Sequence, residues 1–358
     1  MDQQDPVEAG ADGSRDLYDI SQWEPRTALD RLAVRVYRVG IRAARATVVL
    51  VAAAILLVQF LLGGIGATFA QDPYAIGLVA LSVVPALALV AYVYLADVTT
   101  GEPLELLVGA FVLGVLFAGF AAILNSVLSA VQVVPLVGPL LFFYLVVGPV
   151  EESVKLLAVR LYPYRDDRFD AVVDGAVYGA AAGLGFATIE NALYITRQLE
   201  ATGATNELIT AVGVGGTAVA VLGQTGSGII GAGGNITAVR ALAGPGHVIY
   251  SAFAGYYLGL AKFNPEDAGP IVVKGLLIAA FIHGTYNVTV GITPAVVGVF
   301  FPAVPPLALF FGFVLIYDGL FGALLVRKLS RYRAAYNAVE ADNPDAADIR
   351  PERTEFED

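Results

Sequence analysis

VVGPVEESVKLLAV, residues 146–159, sets two adjacent carboxylates and a lysine inside a run otherwise apolar enough for hydrocarbon. Ionisable groups at that depth are expensive and are kept where a buried polar site uses them. Three more lie in the same part of the chain. Glu190 sits in GLGFATIENALYI (183–195), and His247 and His283, the two histidines of the chain, both lie in apolar segments. A solvated-surface explanation fails for either imidazole. Carboxylates gathered with imidazoles are the material of hydrolytic chemistry.

Around this stretch the composition excludes a soluble globular domain. The chain is 57% hydrophobic and 15% charged, with a mean hydropathy of +0.71. The fold expected is all-α, a polytopic transmembrane helical bundle of about eight spans. Apolar runs of roughly 20 residues, enough to cross ~30 Å of hydrocarbon as helix, occupy 46–69, 74–96, 104–127, 136–159, 171–196, 243–261, 271–293 and 298–326. A ninth stretch, 208–232, is apolar but so rich in glycine that it is expected to dip in and return.

The net charge of −11 is concentrated at the ends. Residues 1–25 hold seven acids against one arginine, and 338–358 hold eight acids against two arginines, so the interior is nearly neutral. Both ends read as solvated acidic tails without an apolar pattern to fold on. There is no cysteine, which excludes disulfides and thiolate chemistry. The first apolar run begins too far into the chain for a cleavable signal peptide and reads as a permanent anchor.

Arg26, Arg31, Arg35, Arg38, Arg42 and Arg45 precede the first span with Leu32, Val36, Val39 and Ile41 between them, the pattern of a basic amphipathic helix on an anionic leaflet. The positive-inside rule makes that end cytoplasmic. Arg160, Arg165 and Arg168 after the fourth span, and Arg327, Lys328, Arg331 and Arg333 after the last, agree with an even number of crossings in a cell membrane. Eight crossings put the five polar residues at compatible depths in a site opening outward. Four regions are expected: 1–45, acidic tail and basic helix; 46–130, transmembrane scaffold with almost no polar signal; 131–333, the segment carrying the chemistry; and 334–358, an acidic tail.

On a helix Lys155 reaches either Glu151 or Glu152. One lysine cannot compensate two carboxylates, so a self-neutralising ion pair does not account for both, and one carboxyl is left to act as a base. Asp170 and Asp174 open the fifth span and read as caps. Gly175, Gly179 and Gly183 follow at four-residue intervals, a smooth ridge for close helix approach, with Glu190 on nearly the same face. Glu190 then meets either the other site residues or a local partner such as Asn191. Gly244-Pro245-Gly246 reads as a break that starts a new helix, with His247 in its first turn. His283 and Asn287 share a helical face in HGTYN, placed to donate to a developing oxyanion.

These segments resemble the PrsW family of intramembrane proteases, in the wider superfamily of CAAX prenyl endopeptidases. The matching stretches are Glu151-Glu152-Ser153-Val154-Lys155, Gly185-Phe186-Ala187-Thr188-Ile189-Glu190-Asn191, Arg240-Ala241-Leu242 with Pro245-Gly246-His247, and His283-Gly284-Thr285-Tyr286-Asn287. Together they cover about 145–290. Glu190 stands four residues after Phe186, where the wider superfamily has histidine, as is typical of the PrsW branch. The resemblance implies hydrolysis of a peptide bond in a membrane-anchored protein, of the anti-sigma-regulator kind. In it Glu151 or Glu152 activates water with Glu190 and His247, His283 and Asn287 stabilise the oxyanion, and Lys155 and Asn191 support them. Glu152, Glu190, His247 and His283 suffice to ligate one catalytic zinc, and a metal-free glutamate mechanism is equally compatible. The partners expected are that substrate and the lipid bilayer, with no nucleic acid. The rival readings are a proton- or cation-coupled transporter and a non-catalytic membrane binding protein of the same fold.

Overall fold

The computed structural model describes residues 26–62, 65–66, 69, 74–98, 101–204 and 229–340. The N-terminal acidic tail, most of the C-terminal one and most of the glycine-rich stretch expected to re-enter the membrane lie outside those residues; 334–340 continue the last helix. The described residues are helices joined by short connections and contain no strand. Eight long helices follow in order: α1 (Ala28–Leu62), α2 (Tyr74–Leu95), α3 (Leu104–Val127), α4 (138–161), α5 (Val172–Ala204), α6 (Ile229–Lys262), α7 (Ala268–Phe300) and α8 (Pro306–Glu340). Six of them, all but α4 and α6, are long and apolar enough to cross a membrane. The two that fall short, together with α5 and α7, carry the ionisable groups that mark the chain. Among the six, α5 is also the most enclosed, with 83% of its apolar window buried.

The centre of the bundle is the pairing of α5 with α6, and glycine makes it possible. A Cβ at Gly175 would meet the carbonyl of Gly255, one at Gly179 the carbonyl of Ser251, and one at Gly183 the carbonyl of His247. The backbones therefore touch directly, which is how helices associate where lipid removes any hydrophobic drive between them. Asp174 caps the start of α5 by accepting from the backbone N–H groups of Asp170 and Ala171 at 2.8 and 2.9 Å.

Helix α4 contains a wide turn just before the two glutamates. Residues Gly138–Phe142 are α-helical, Phe143–Val147 form a π turn, and Gly148–Leu161 resume the α-helix. Pro149 has no N–H to offer the carbonyl four residues earlier. The chain widens instead, and the Gly148 N–H donates to the Phe143 carbonyl. Such turns re-aim the residues that follow.

Pro245 does not start a helix. Helix α6 runs unbroken from Ile229 to Lys262 with the proline inside it, so His247 lies in mid-helix and the helix-terminus dipole does not act on it. Within a membrane bundle, neighbouring helices re-satisfy the backbone group that a proline frees, and the punctuation that ends a helix in water is tolerated.

Candidate functional site

Four helices bring the predicted groups together, and a fifth adds one that was not predicted. Glu151 and Glu152 come from α4, Glu190 from α5, His247 from α6 and His283 from α7, with Asn125 reaching in from α3. They meet beside a cavity of about 480 Å3 whose walls include Asn125, Glu151, Glu190, His247, His283 and Asn287. Glu152 and Lys155 lie behind this wall, at 0% and 1% exposure.

Lys155 chooses between the adjacent glutamates. Its Nζ donates to Glu152 Oε1 at 2.7 Å and to His247 Nδ1 at 2.9 Å, and lies 4.3 Å from the centre of the Phe186 ring. An ammonium only donates, so His247 Nδ1 accepts and its proton sits on Nε2. That nitrogen is 2.7 Å from Glu190 Oε2. Glu190 is held in turn by Arg240, whose Nη2 donates to the same oxygen at 2.6 Å while its Nε donates to Asn191 Oδ1 at 2.8 Å. Two cations thus face three carboxylates.

Glu152 is also saturated on its other side. Its Oε1 accepts from His283 Nδ1 at 2.8 Å, and Ser251 Oγ lies 3.5 Å from its Oε2. A histidine that donates from Nδ1 to a carboxylate presents a lone pair on Nε2, the arrangement seen behind metal-ligating imidazoles. His283 Nε2 points at Glu151 Oε2, 3.8 Å away. Glu151 Oε1 accepts from Asn125 Nδ2 at 3.0 Å, whereas Oε2 is buried with no hydrogen-bond partner. A buried carboxylate oxygen without a donor is costly and calls for an occupant.

Of the two glutamates, Glu151 is therefore the one that faces the cavity. The carboxylate and imidazole atoms of Glu151, His247 and His283 lie within 4.8 Å of one another, a Glu/His/His donor set of the zinc type. Glu152 and Glu190, both expected among the metal ligands, stand outside that group: Glu152 buttresses His283, and Glu190 pairs with His247 and Arg240. His283 with its proton on Nδ1 accepts at Nε2 and does not donate to an oxyanion there. Asn287 lies one turn further along α7 on the cavity wall. Asn191 turns away from the cavity, donating to Ser82 Oγ of α2 at 2.9 Å, and so ties α2 and α6 to α5.

Three contributors escaped the reading of the sequence. Asn125 is the first, a polar group on a helix expected to be scaffold. Its only signal is a lone amide near the end of an apolar run, which reads as easily as a helix-end group. Arg240 is the second, visible as part of a motif but not as a partner for Glu190. Tyr250 is the third: its ring packs 5.3 Å from that of His283, and its hydroxyl donates to buried Asp318 of α8 at 3.3 Å.

A helical membrane bundle with carboxylates and imidazoles converging on an internal cavity defines a membrane hydrolase. The family comparison makes the class specific. A family model described as PrsW family intramembrane metalloprotease matches residues 102–317. The chain belongs to that family and is an intramembrane protease. Protease PrsW of Geobacillus kaustophilus is 30% identical over 210 residues, covering 59% of this chain and 78% of that protein. Protease PrsW of Bacillus subtilis is 29% identical over 214 residues, covering 59% and 81%, and that of Shouchella clausii 26% over 213 residues, covering 59% and 82%. No solved structure matches the chain.

Proposed function

We propose that the protein cleaves a peptide bond of a membrane-anchored protein, of the anti-sigma-regulator kind, at the cavity bounded by Glu151, Glu190, His247 and His283. The observation that carries this is the buried, donorless Glu151 Oε2 opposite the His283 Nε2 lone pair. An attacking water placed between them gives up a proton to that carboxylate. The carboxyl then delivers it to the nitrogen of the departing peptide, so the residue ends as it began. Asn287 supplies an amide donor for the tetrahedral oxyanion. Glu152, Lys155, Glu190 and Arg240 fix the orientation and the tautomers of the two imidazoles.

The family's description carries a metal, and the donor set fits one. Glu151 and His283 would hold it, and His247 would join them only by giving up its Nε2 proton. The chemistry supplied by a zinc-class ion there would be Lewis acidity towards the scissile carbonyl and the attacking water.

Orientation rests on charge. The arginine-bearing connection 162–171, the C-terminal part of α6 and that of α8 lie at one end: Lys262 Nζ bonds the Phe169 carbonyl, and Lys328 Nζ lies 4.8 Å from the Tyr256 ring. By the positive-inside rule this end faces the cytoplasm, with eight crossings, both termini inside and the plasma membrane as the site of action. The cavity also reaches Ser126 in the last turn of α3 and Ser129 and Gln132 beyond it, so on this orientation it opens outward.

The test compares newly formed protein N-termini in membranes of cells producing native protein or Glu151→Gln at equal abundance. Peptides lost in the variant and mapping next to the span of single-pass proteins support the reading and name the substrate. Identical sets from folded proteins overturn it.

A further inference from the structure

Far from the histidine cavity a second cluster of acids closes the other end of the bundle. Asp97 follows α2, Glu102 stands two residues before α3, and Asp174 lies in the first turn of α5. By helical rise alone, Asp174 stands about 24 Å along α5 from Glu190. One oxygen from each of Asp97, Glu102 and Asp174 lies within 4.8 Å of the other two.

Two of these acids are sealed from water, with Glu102 at 4% exposure and Asp174 at 1%. Asp174 spends Oδ2 on the cap of α5, while its Oδ1 has no hydrogen-bond partner. Glu102 has none on either oxygen. A second, non-acidic group points the same way. Tyr178, one turn beyond Asp174 on α5, is fully buried; its hydroxyl, also without a hydrogen-bond partner, faces Glu102. Two basic groups of this end are engaged elsewhere. Lys262 Nζ donates to the carbonyls of Asp166 and Phe169, and Arg168 to the carboxylates of Glu105 and Asp166.

Carboxylates crowded out of water without donors are destabilising singly and repel one another together. One small cation removes both costs. The ligands here are all oxygen, with neither imidazole nor thiolate, which selects a hard ion over zinc or copper. We propose that Asp97, Glu102 and Asp174 hold a hard divalent cation of the calcium or magnesium class, with the Tyr178 hydroxyl orienting Glu102. The ion joins the ends of α2, α3 and α5 and takes no part in peptide hydrolysis.

Equilibrium dialysis against radiolabelled calcium, with manganese as the surrogate for magnesium, tests this on the purified full-length protein in lipid nanodiscs. The native protein and His283→Ala are expected to bind the ion alike, since that substitution touches only the far cavity. Glu102→Gln and Asp174→Asn lose the binding, and Tyr178→Phe weakens it about tenfold, the usual loss when a group that orients a ligand is removed. Should both carboxylate variants fail to fold, Asp97→Asn serves in their place. In native protein the ion also raises the melting temperature, and Asp97→Asn abolishes that rise. Native protein that binds neither ion, or binding undiminished in the carboxylate variants, overturns the proposal and leaves a cluster held together by shared protons.

Discussion

Lys155 has three things to satisfy and satisfies all of them: a carboxylate, an imidazole nitrogen and an aromatic face. That completeness divides two glutamates that are neighbours in sequence. Glu152 becomes part of the frame and Glu151 is left facing the cavity. Glu151→Gln should therefore lower the rate of cleavage by roughly 10²–10⁴-fold, the contribution of a positioned acid–base group, with the melting temperature unchanged. Lys155→Met should act on the fold itself. It strands a buried carboxylate and costs about 3–5 kcal/mol, measured by thermal unfolding in detergent. Asn125→Ala leaves Glu151 free to rotate and should reduce turnover about 10–100-fold, as removal of an orienting partner does. The five costly residues were legible in the sequence because hydrocarbon makes them rare. Their division of labour was not, since adjacent glutamates on one helix look alike until the lysine's geometry is known. Asn125 was hidden for the opposite reason: a neutral amide is cheap enough near a membrane surface to need no explanation.

Helices α5 and α6 show at the level of elements how a pattern of small residues becomes a site. The ridge of Gly175, Gly179 and Gly183 read from the sequence is real, and its partner is the carbonyl face of Ser251, Gly255 and His247 itself. Backbone contact at Gly183 sets the height of His247 against Glu190 two turns further on. Gly179→Val should force the two helices apart, at roughly 1–3 kcal/mol for overpacking, and since a carbonyl cannot swing aside as a side chain can, the upper end is expected. Cleavage should fall together with the melting temperature, because the Glu190 to His247 contact of 2.7 Å depends on the same approach. Activity retained at a lowered melting temperature would separate the ridge from the site. Helix existence was legible from apolar run length, and α3 begins and ends where the sequence placed it. Helix α6 was not, because Gly-Pro-Gly is a stop signal in water and only an irregularity inside a packed bundle.

At the scale of the whole molecule the polar groups segregate by end. The arginines of 160–168 and the acid cluster around Glu102 lie at one end, and Asn125, Ser126 and the cavity mouth lie toward the other. In the proposed orientation, set by the basic end, the cavity would admit substrate from the outer half of the membrane. Absence of cysteine makes the orientation directly measurable, because any single cysteine introduced is the only thiol present. Ser126, exposed at the cavity, and Asp167, exposed in the connection between α4 and α5, mark the two ends. A membrane-impermeant maleimide added to intact cells should label Ser126→Cys and spare Asp167→Cys, which should react only once the cells are opened. The reverse pattern would place the cavity on the cytoplasmic side. Peptide bonds would then be cut from within, and a regulator cleaved at its outer surface would be excluded as the substrate.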